Sequence, residues 1–190
     1  MGMPRARLLI LLSGSGRTLL NLLERIRDGS LPAEVAGVIA SKTCPGAERA
    51  AAAGIPTRVL PGEIGAPALD ALATEARADL IVLAGYLKLV HIPPALEGRV
   101  VNIHPALLPD FGGPGMYGLH VHRAVLAAGR TESGGTVHLC SSEFDRGPIL
   151  LQRRCPVLAH DTPETLAARV FEQECIAYPA ALAGLIGGRT

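Results

Sequence analysis

Asn102 and His104 stand two residues apart at the end of an apolar run, and Pro105 follows them at once. In a strand, residues i and i+2 project to the same face, so the two side chains point together. Pro105 cannot donate to a sheet and forces the chain to leave it there. Asparagine offers a donor and an acceptor, and histidine exchanges a proton near neutral pH. Such a pair can hold and polarise a carbonyl whose oxygen turns negative under attack. The plainer alternative is a satisfied polar residue at a strand end. Asp145, in SSEFDRGPIL, is a third candidate. An acid in a turn before Gly-Pro is ordinarily an Asx-turn former, and Glu143 and Arg146 beside it read as solvated neighbours.

A second constellation lies near the start, in LLSGSGRTLLNLL. Gly14 and Gly16 allow a tight bend and close approach to a ligand, and the next helix would then present its first amides outward. That is the geometry of a phosphate cradle, to which Ser15, Arg17 and Thr18 add two hydroxyls and a cation. The dinucleotide pattern GxGxxG fails because its third glycine position is Leu19, and the second strand runs into Ser41-Lys42-Thr43 without the ribose-binding acid. No GK[ST] is present, so an ATP loop fails too. A monophosphate on a sugar remains, against a Gly-rich turn that only packs.

His120, His122 and His138 raise the question of a metal. On a helix, HxH sets the two rings about 200° apart, on opposite faces, and no acid or cysteine stands at useful spacing, so no metal site is expected. His138 shares a strand face with Thr136 and Cys140, where it either supports a neighbour or sits at the core edge.

These residues need elements to carry them. Strand-like runs at 7–12, 35–40, 57–60, 80–85 and 99–104 alternate with helical segments opening at Arg17, Cys44 and Pro67. Continuous apolar strands separated by helices predict a parallel sheet covered on both faces. Past residue 105 the texture changes to the Gly/Pro-rich loop LLPDFGGPGMYG, too long for a simple turn. A helix ending at Gly129, strands in GGTVHLC and PILLQRRCPV, and a last helix from Thr162-Pro163 to about Leu185 follow. The fold class is therefore α/β: three layers, a mostly parallel twisted sheet flanked by helices, Rossmann-type in its N-terminal half. One domain is expected over 1–190, with 1–104 as the phosphate-binding half.

Composition sets the outer limits. The 190 residues are 48% hydrophobic and 18% charged with net charge +1, which suits a folded domain and gives no bulk attraction to nucleic acid or membrane. Cys44, Cys140, Cys155 and Cys175 form no CxxC pair and fit a reducing compartment. The N-terminal apolar run LLILL is shorter than the roughly 7–15 residues of a signal core, and nothing approaches the ~20 apolar residues of a membrane helix. A cytoplasmic location is expected.

The chain resembles the glycinamide ribonucleotide formyltransferase family, folate-dependent enzymes of purine synthesis. The resemblance runs through LLSGSGRTLLNLL, LAGYLKLV, VVNIHPALLPDFGG, GLHVHRAVLAAG, GGTVHLCSSEFDRGPILLQ and VFEQECIAYP, collinear along nearly the whole sequence. It implies transfer of a formyl group from 10-formyltetrahydrofolate to the amine of glycinamide ribonucleotide without a metal, with Asn102, His104 and Asp145 as the catalytic trio. By the same carry-over Gly14, Ser15, Gly16, Arg17 and Thr18 bind the phosphate, and Glu174 the ribose hydroxyls. Gly85 and Tyr86-Leu87-Lys88 line the junction of the two substrates. Lys88, Leu89 and Val90, with Cys140, Ser141, Glu143 and Phe144 of the 140–145 loop, take the folate, whose glutamate tail meets Lys88. The residues at 102–104 and 145 speak against a binding protein without catalysis. A relative acting on aminoacyl-tRNA would carry a further basic domain, and a formyltetrahydrofolate hydrolase a further N-terminal one. Small-molecule partners and a monomer or homodimer are expected. The sequence departs from the family where the phosphate loop reads Gly-Arg-Thr instead of Gly-Ser-Asn, and where Pro114 replaces a common lysine.

Overall fold

The computed structural model describes residues 5–188. Its first strand, β1 (Ala6–Leu12), is apolar but for Arg7, and Leu8 to Leu12 are almost wholly enclosed. A strand buried on both faces must read this way, because each face meets a covering layer. β1 pairs in parallel with β2 (Ala33–Ala40) and with β4 (Leu80–Leu83), and β2 pairs in parallel with β3 (Thr57–Val59). Between them run α1 (Arg17–Arg27), α2 (Pro45–Ala52) and α3 (Ala66–Ala76). α1 buries Leu19 and Leu22, one turn apart on one face, while its charged residues stay outside.

β5 (Val100–His104) is followed by α4 (Leu119–Ala127), β6 (Glu132–Leu139), β7 (Ile149–Pro156) and α5 (Pro163–Gly187). The seven strands form one sheet in the order β3-β2-β1-β4-β5-β6-β7, and β6 and β7 are antiparallel. The chain divides into two compact units, residues up to Val101 with those from Leu182 on, and Asn102–Ala181. The dividing point lies inside β5, three residues before the half-boundary expected from sequence. It assigns Asn102 and His104 to the same unit as Asp145. In that second unit Val125, Cys155, Leu166 and Val170 form a buried apolar cluster, with Phe111, Leu126 and Val157 packed against it.

Element ends differ from expectation where backbone turns intervene. β4 stops at Leu83 rather than at residue 85, because the chain turns there and Gly85 takes a left-handed φ of 74°. α3 opens at Ala66, one residue before the expected Pro67, and ends at Ala76, with Arg77 left-handed at φ 47°. A short 3-10 turn, Pro94–Leu96, was not foreseen.

Candidate active site

β5 and the loop after β6 bring the second unit's polar residues together. Asp145 has a left-handed φ of 56°, a conformation that costs a non-glycine residue on the order of 1 kcal/mol or more and is held only by its surroundings. Its carboxylate is not closing a local Asx turn. Oδ2 accepts the Gly113 N–H at 2.9 Å and lies 3.5 Å from His104 Nδ1. Oδ1 accepts from Asn102 Nδ2 at 3.4 Å and lies 3.5 Å from His138 Nε2. Asn102, His104 and Asp145, predicted as a trio, thus lie in one cluster, and His138 is its fourth member. Sequence reasoning left His138 undecided. The only available signal was its place on a strand at the same end of the sheet, since its approach to Asp145 depends on how the 140–147 loop folds back.

Hydrogen bonds fix how the rings are protonated. His104 Nε2–H donates to the Phe111 carbonyl at 2.8 Å, so in the neutral ring Nδ1 carries a lone pair toward Asp145. His104 is 3% exposed, and that burial pushes its pKa down. The Asp145 charge and the Phe111 carbonyl pull it back up, and the His138 charge opposes them, yet the net shift stays downward. The ring is therefore neutral at pH 7, and an ion pair with Asp145 forms only when a proton arrives at Nδ1. His138, 1% exposed, donates Nδ1–H to the Leu139 carbonyl at 2.9 Å, which leaves Nε2 to accept from Asn102 Nδ2 at 3.2 Å. A second proton on that ring would turn Nε2 into a donor toward Asp145. Burial raises the Asp145 pKa, but the His138 hydrogen bond, the His104 charge and the Gly113 N–H outweigh it, and the carboxyl lies below its ordinary range.

The surrounding loops fit closely. A Cβ on Gly112 would meet Leu108 Cδ2 at 2.5 Å and Asp145 Cβ at 3.1 Å, so a side chain there would displace Leu108 and press on Asp145. The Cys140 thiol is pushed up to about 12 by burial, with a smaller push from the Asp145 charge, and is no nucleophile. Ser141 Oγ donates to the Glu143 carbonyl and accepts the Glu143 N–H, and Phe144 lies exposed on the same loop. Glu174 packs over Gly135, where a Cβ would come within 3.0 Å of its Cγ. His122 is buried with no partner at Nδ1, and His120 sets its ring edge-on to Tyr117 at 5.4 Å. Among the described residues no group of three or more His, Cys, Asp or Glu side chains is placed to hold a metal.

The glycine loop of the first unit has the geometry of a cradle. The Gly14 carbonyl accepts the Gly46 N–H at 3.0 Å, and the Ser15 carbonyl accepts from Arg49 Nη1. In a trans peptide the next N–H points opposite to the carbonyl. The amides of Ser15 and Gly16 therefore face away from α2, at the start of α1 and its positive dipole end. Gly16 has φ 75°, and a Cβ there would meet Gly46 Cα at 2.6 Å. Arg17 and Thr18 open α1. Arg49 is the residue of this site that the sequence reading missed, because its role depends on α2 packing against the loop. Farther along, Gly85 carries the turn after β4, while Leu87 and Lys88 are exposed and Leu89 is half-buried. Val90 is buried and bridges to Ile64. Tyr86 turns inward, its ring buried and its hydroxyl 3.5 Å from the Gly62 carbonyl. Burial, then the Glu63 charge, raises its pKa.

The family model described as formyl transferase matches residues 6–182. The chain belongs to the formyl transferase family. As a formyl transferase it is 42% identical over 181 residues to a chloroplastic phosphoribosylglycinamide formyltransferase of Arabidopsis thaliana, covering 90% of this chain and 62% of that one. The chain thus spans somewhat under two thirds of that plant relative. The solved glycinamide ribonucleotide transformylase 1 of Symbiobacterium toebii is 37% identical, with TM-score 0.86 over 97% of this chain and 89% of the other. That likeness and the sheet order give the three-layer α/β fold expected from the sequence. A formyltetrahydrofolate deformylase of Pseudomonas syringae is also similar, at 25% identity and TM-score 0.85, covering 98% of this chain and 63% of the other.

Proposed function

We propose that this formyl transferase moves a formyl group from 10-formyltetrahydrofolate to the amine of glycinamide ribonucleotide, a step of purine synthesis. The observation that carries the reading is Asp145, a strained and buried carboxylate held against His104, Asn102 and His138 at once. A binding site for folate or ribonucleotide alone gains nothing from such a group. The substrate amine attacks the formyl carbon, the carbonyl oxygen becomes an oxyanion, and the bond to N10 of the folate then breaks. Asn102 Nδ2–H and His104 Nε2–H are the donors available to that oxyanion. In the free protein the Phe111 carbonyl takes the His104 donor, and His138 and Asp145 take the two Asn102 hydrogens, so the substrate oxygen replaces Phe111 and one of those two partners. The arriving negative charge favours the imidazolium, whose Nδ1–H then pairs with Asp145. Asp145 relays the proton lost by the amine, through water, toward N10.

Gly14 to Thr18 hold the ribonucleotide phosphate, supported by the outward amides of Ser15 and Gly16, and Glu174 takes the ribose hydroxyls. Gly85, Leu87, Lys88, Leu89 and Val90 receive the folate with the 140–145 loop, and buried Tyr86 contributes its backbone. Lys88, exposed, meets the glutamate tail. No helix among the described residues is long and apolar enough to cross a membrane. None of the four cysteines is in a disulfide, which suits a reducing compartment, the cytoplasm.

The second reading is hydrolysis of formyltetrahydrofolate, favoured by the likeness to the Pseudomonas syringae deformylase. Purified protein given 10-formyltetrahydrofolate with and without glycinamide ribonucleotide separates the two. Tetrahydrofolate should form only when the ribonucleotide is present. Release at the same rate in water alone overturns the transferase reading in favour of the hydrolase.

A further inference from the structure

We propose that Ser13 is a positioning residue that couples the phosphate loop to the turn after β4, so that ribonucleotide and folate bind with positive cooperativity; this deepens the transferase reading above and rests on it. Ser13 closes β1 and is 3% exposed. Its Oγ accepts the Ser41 Oγ–H at 2.7 Å and the Leu87 N–H at 3.0 Å, and its own N–H donates to the Gly85 carbonyl at 3.1 Å. Ser41, also buried, donates its N–H to the Leu12 carbonyl at 3.0 Å. One oxygen thus joins the carboxyl ends of β1 and β2 to the turn that follows β4. β1 lies between the other two strands in the sheet. In open α/β sheets this edge is where ligands bind.

A hydroxyl oxygen has two lone pairs, and both are used here. Loss of that oxygen leaves the Leu87 N–H and the Ser41 O–H without their acceptor, a larger penalty than the loss of one net hydrogen bond. The residues on either side of Ser13 are tied just as closely. Gly14 is bonded to Gly46 and Ser15 to Arg49 on one side, while Gly85 and Leu87 are bonded to Ser13 itself on the other. A ligand that fixes the 85–90 segment therefore also fixes Ser13 and the start of the loop at Gly14. The second ligand then pays less ordering cost, and the effect is the same in either order because coupling free energies are reciprocal.

The test uses glycinamide ribonucleotide with tetrahydrofolate, a pair that binds without reacting. Calorimetric titration gives the ribonucleotide Kd with and without saturating tetrahydrofolate. In the unchanged protein tetrahydrofolate should tighten ribonucleotide binding about fivefold or more, the lower end of ordinary coupling. Ser13→Ala and Ser41→Ala should each bring that ratio to within about twofold of unity, whereas Ser41→Thr, which keeps the hydroxyl, should restore it. A merely structural role would lower the unfolding temperature and leave the ratio where it was. Binding of both ligands with a ratio unmoved by Ser13→Ala and Ser41→Ala overturns this proposal alone. Binding of neither ligand to the unchanged protein overturns the transferase reading, and this proposal with it.

Discussion

Protonating His104 costs energy before any substrate arrives, because the ring is buried. Asp145 lowers that cost by placing a carboxylate 3.5 Å from Nδ1. Asp145→Asn keeps the shape and the Gly113 contact yet removes the charge, so the imidazolium loses its partner. Turnover should fall by roughly 10²–10⁴, the usual worth of a positioned acid–base group, with ribonucleotide and folate still bound. A rate equal to that of the unchanged protein would remove Asp145 from the mechanism. His122 gives a prediction of a different kind. Burial, then the His104 charge, pushes its pKa from the ordinary 6.5 to about 4. The unfolded chain takes up a proton near 6.5 that the folded chain refuses until about pH 4. Stability is therefore complete above pH 6.5 and declines as pH falls through that window, by about 3 kcal/mol at one pKa unit per 1.36 kcal/mol. Nδ1 of His122 has no partner to lose, so His122→Leu should fold and should remove about 2.5 kcal/mol of the decline between pH 7.5 and pH 4.5. Urea unfolding at pH 7.5 and pH 4.5 reads the difference, and an equal decline in both proteins refutes it.

Elements made of local pattern were readable, and those made of distant contacts were not. Leu8–Leu12 of β1 and all of β4 are short unbroken apolar runs, and α5 announces itself at Thr162-Pro163. The structure bears out that last signal: Thr162 Oγ1 accepts the Thr165 N–H at 3.2 Å, and Thr165 Oγ1 accepts the Thr162 N–H at 2.9 Å. This reciprocal cap precedes a 25-residue helix that continues through Pro179 despite its missing N–H. Thr162→Ala should lower stability by about 1 kcal/mol, seen as a lower urea midpoint with unchanged slope. No change would mean that Asp161, paired at two points with Arg169, holds the helix start without the threonine. In the same way Asn102 and His104 were legible together because strand geometry gives them a common face. His138 was not, because its Nε2 reaches Asn102 and Asp145 from strand β6. Gly112 looked like one glycine among several in a loop, and only the fold shows Asp145 against it.

For the whole chain, charge is nearly balanced at +1, so net charge supplies no long-range attraction for an anion and the proposed hold on phosphate would be local. In the free protein Gly46 and Arg49 hold the loop's carbonyls toward α2. Glycinamide ribonucleotide at a hundredfold over its Kd should raise the unfolding free energy by about 2.7 kcal/mol. Arg49→Ala removes a charged latch on the Ser15 carbonyl without touching the catalytic cluster, and a loss of this kind is worth on the order of tenfold in affinity. The same ligand concentration should then stabilise the variant by only about 1.4 kcal/mol. Thermal or urea unfolding with and without ribonucleotide measures both quantities in one experiment. An equal gain in the two proteins would show that the loop keeps its shape without Arg49, leaving Gly46 and the left-handed turn at Gly16 as sufficient to hold the amides in place.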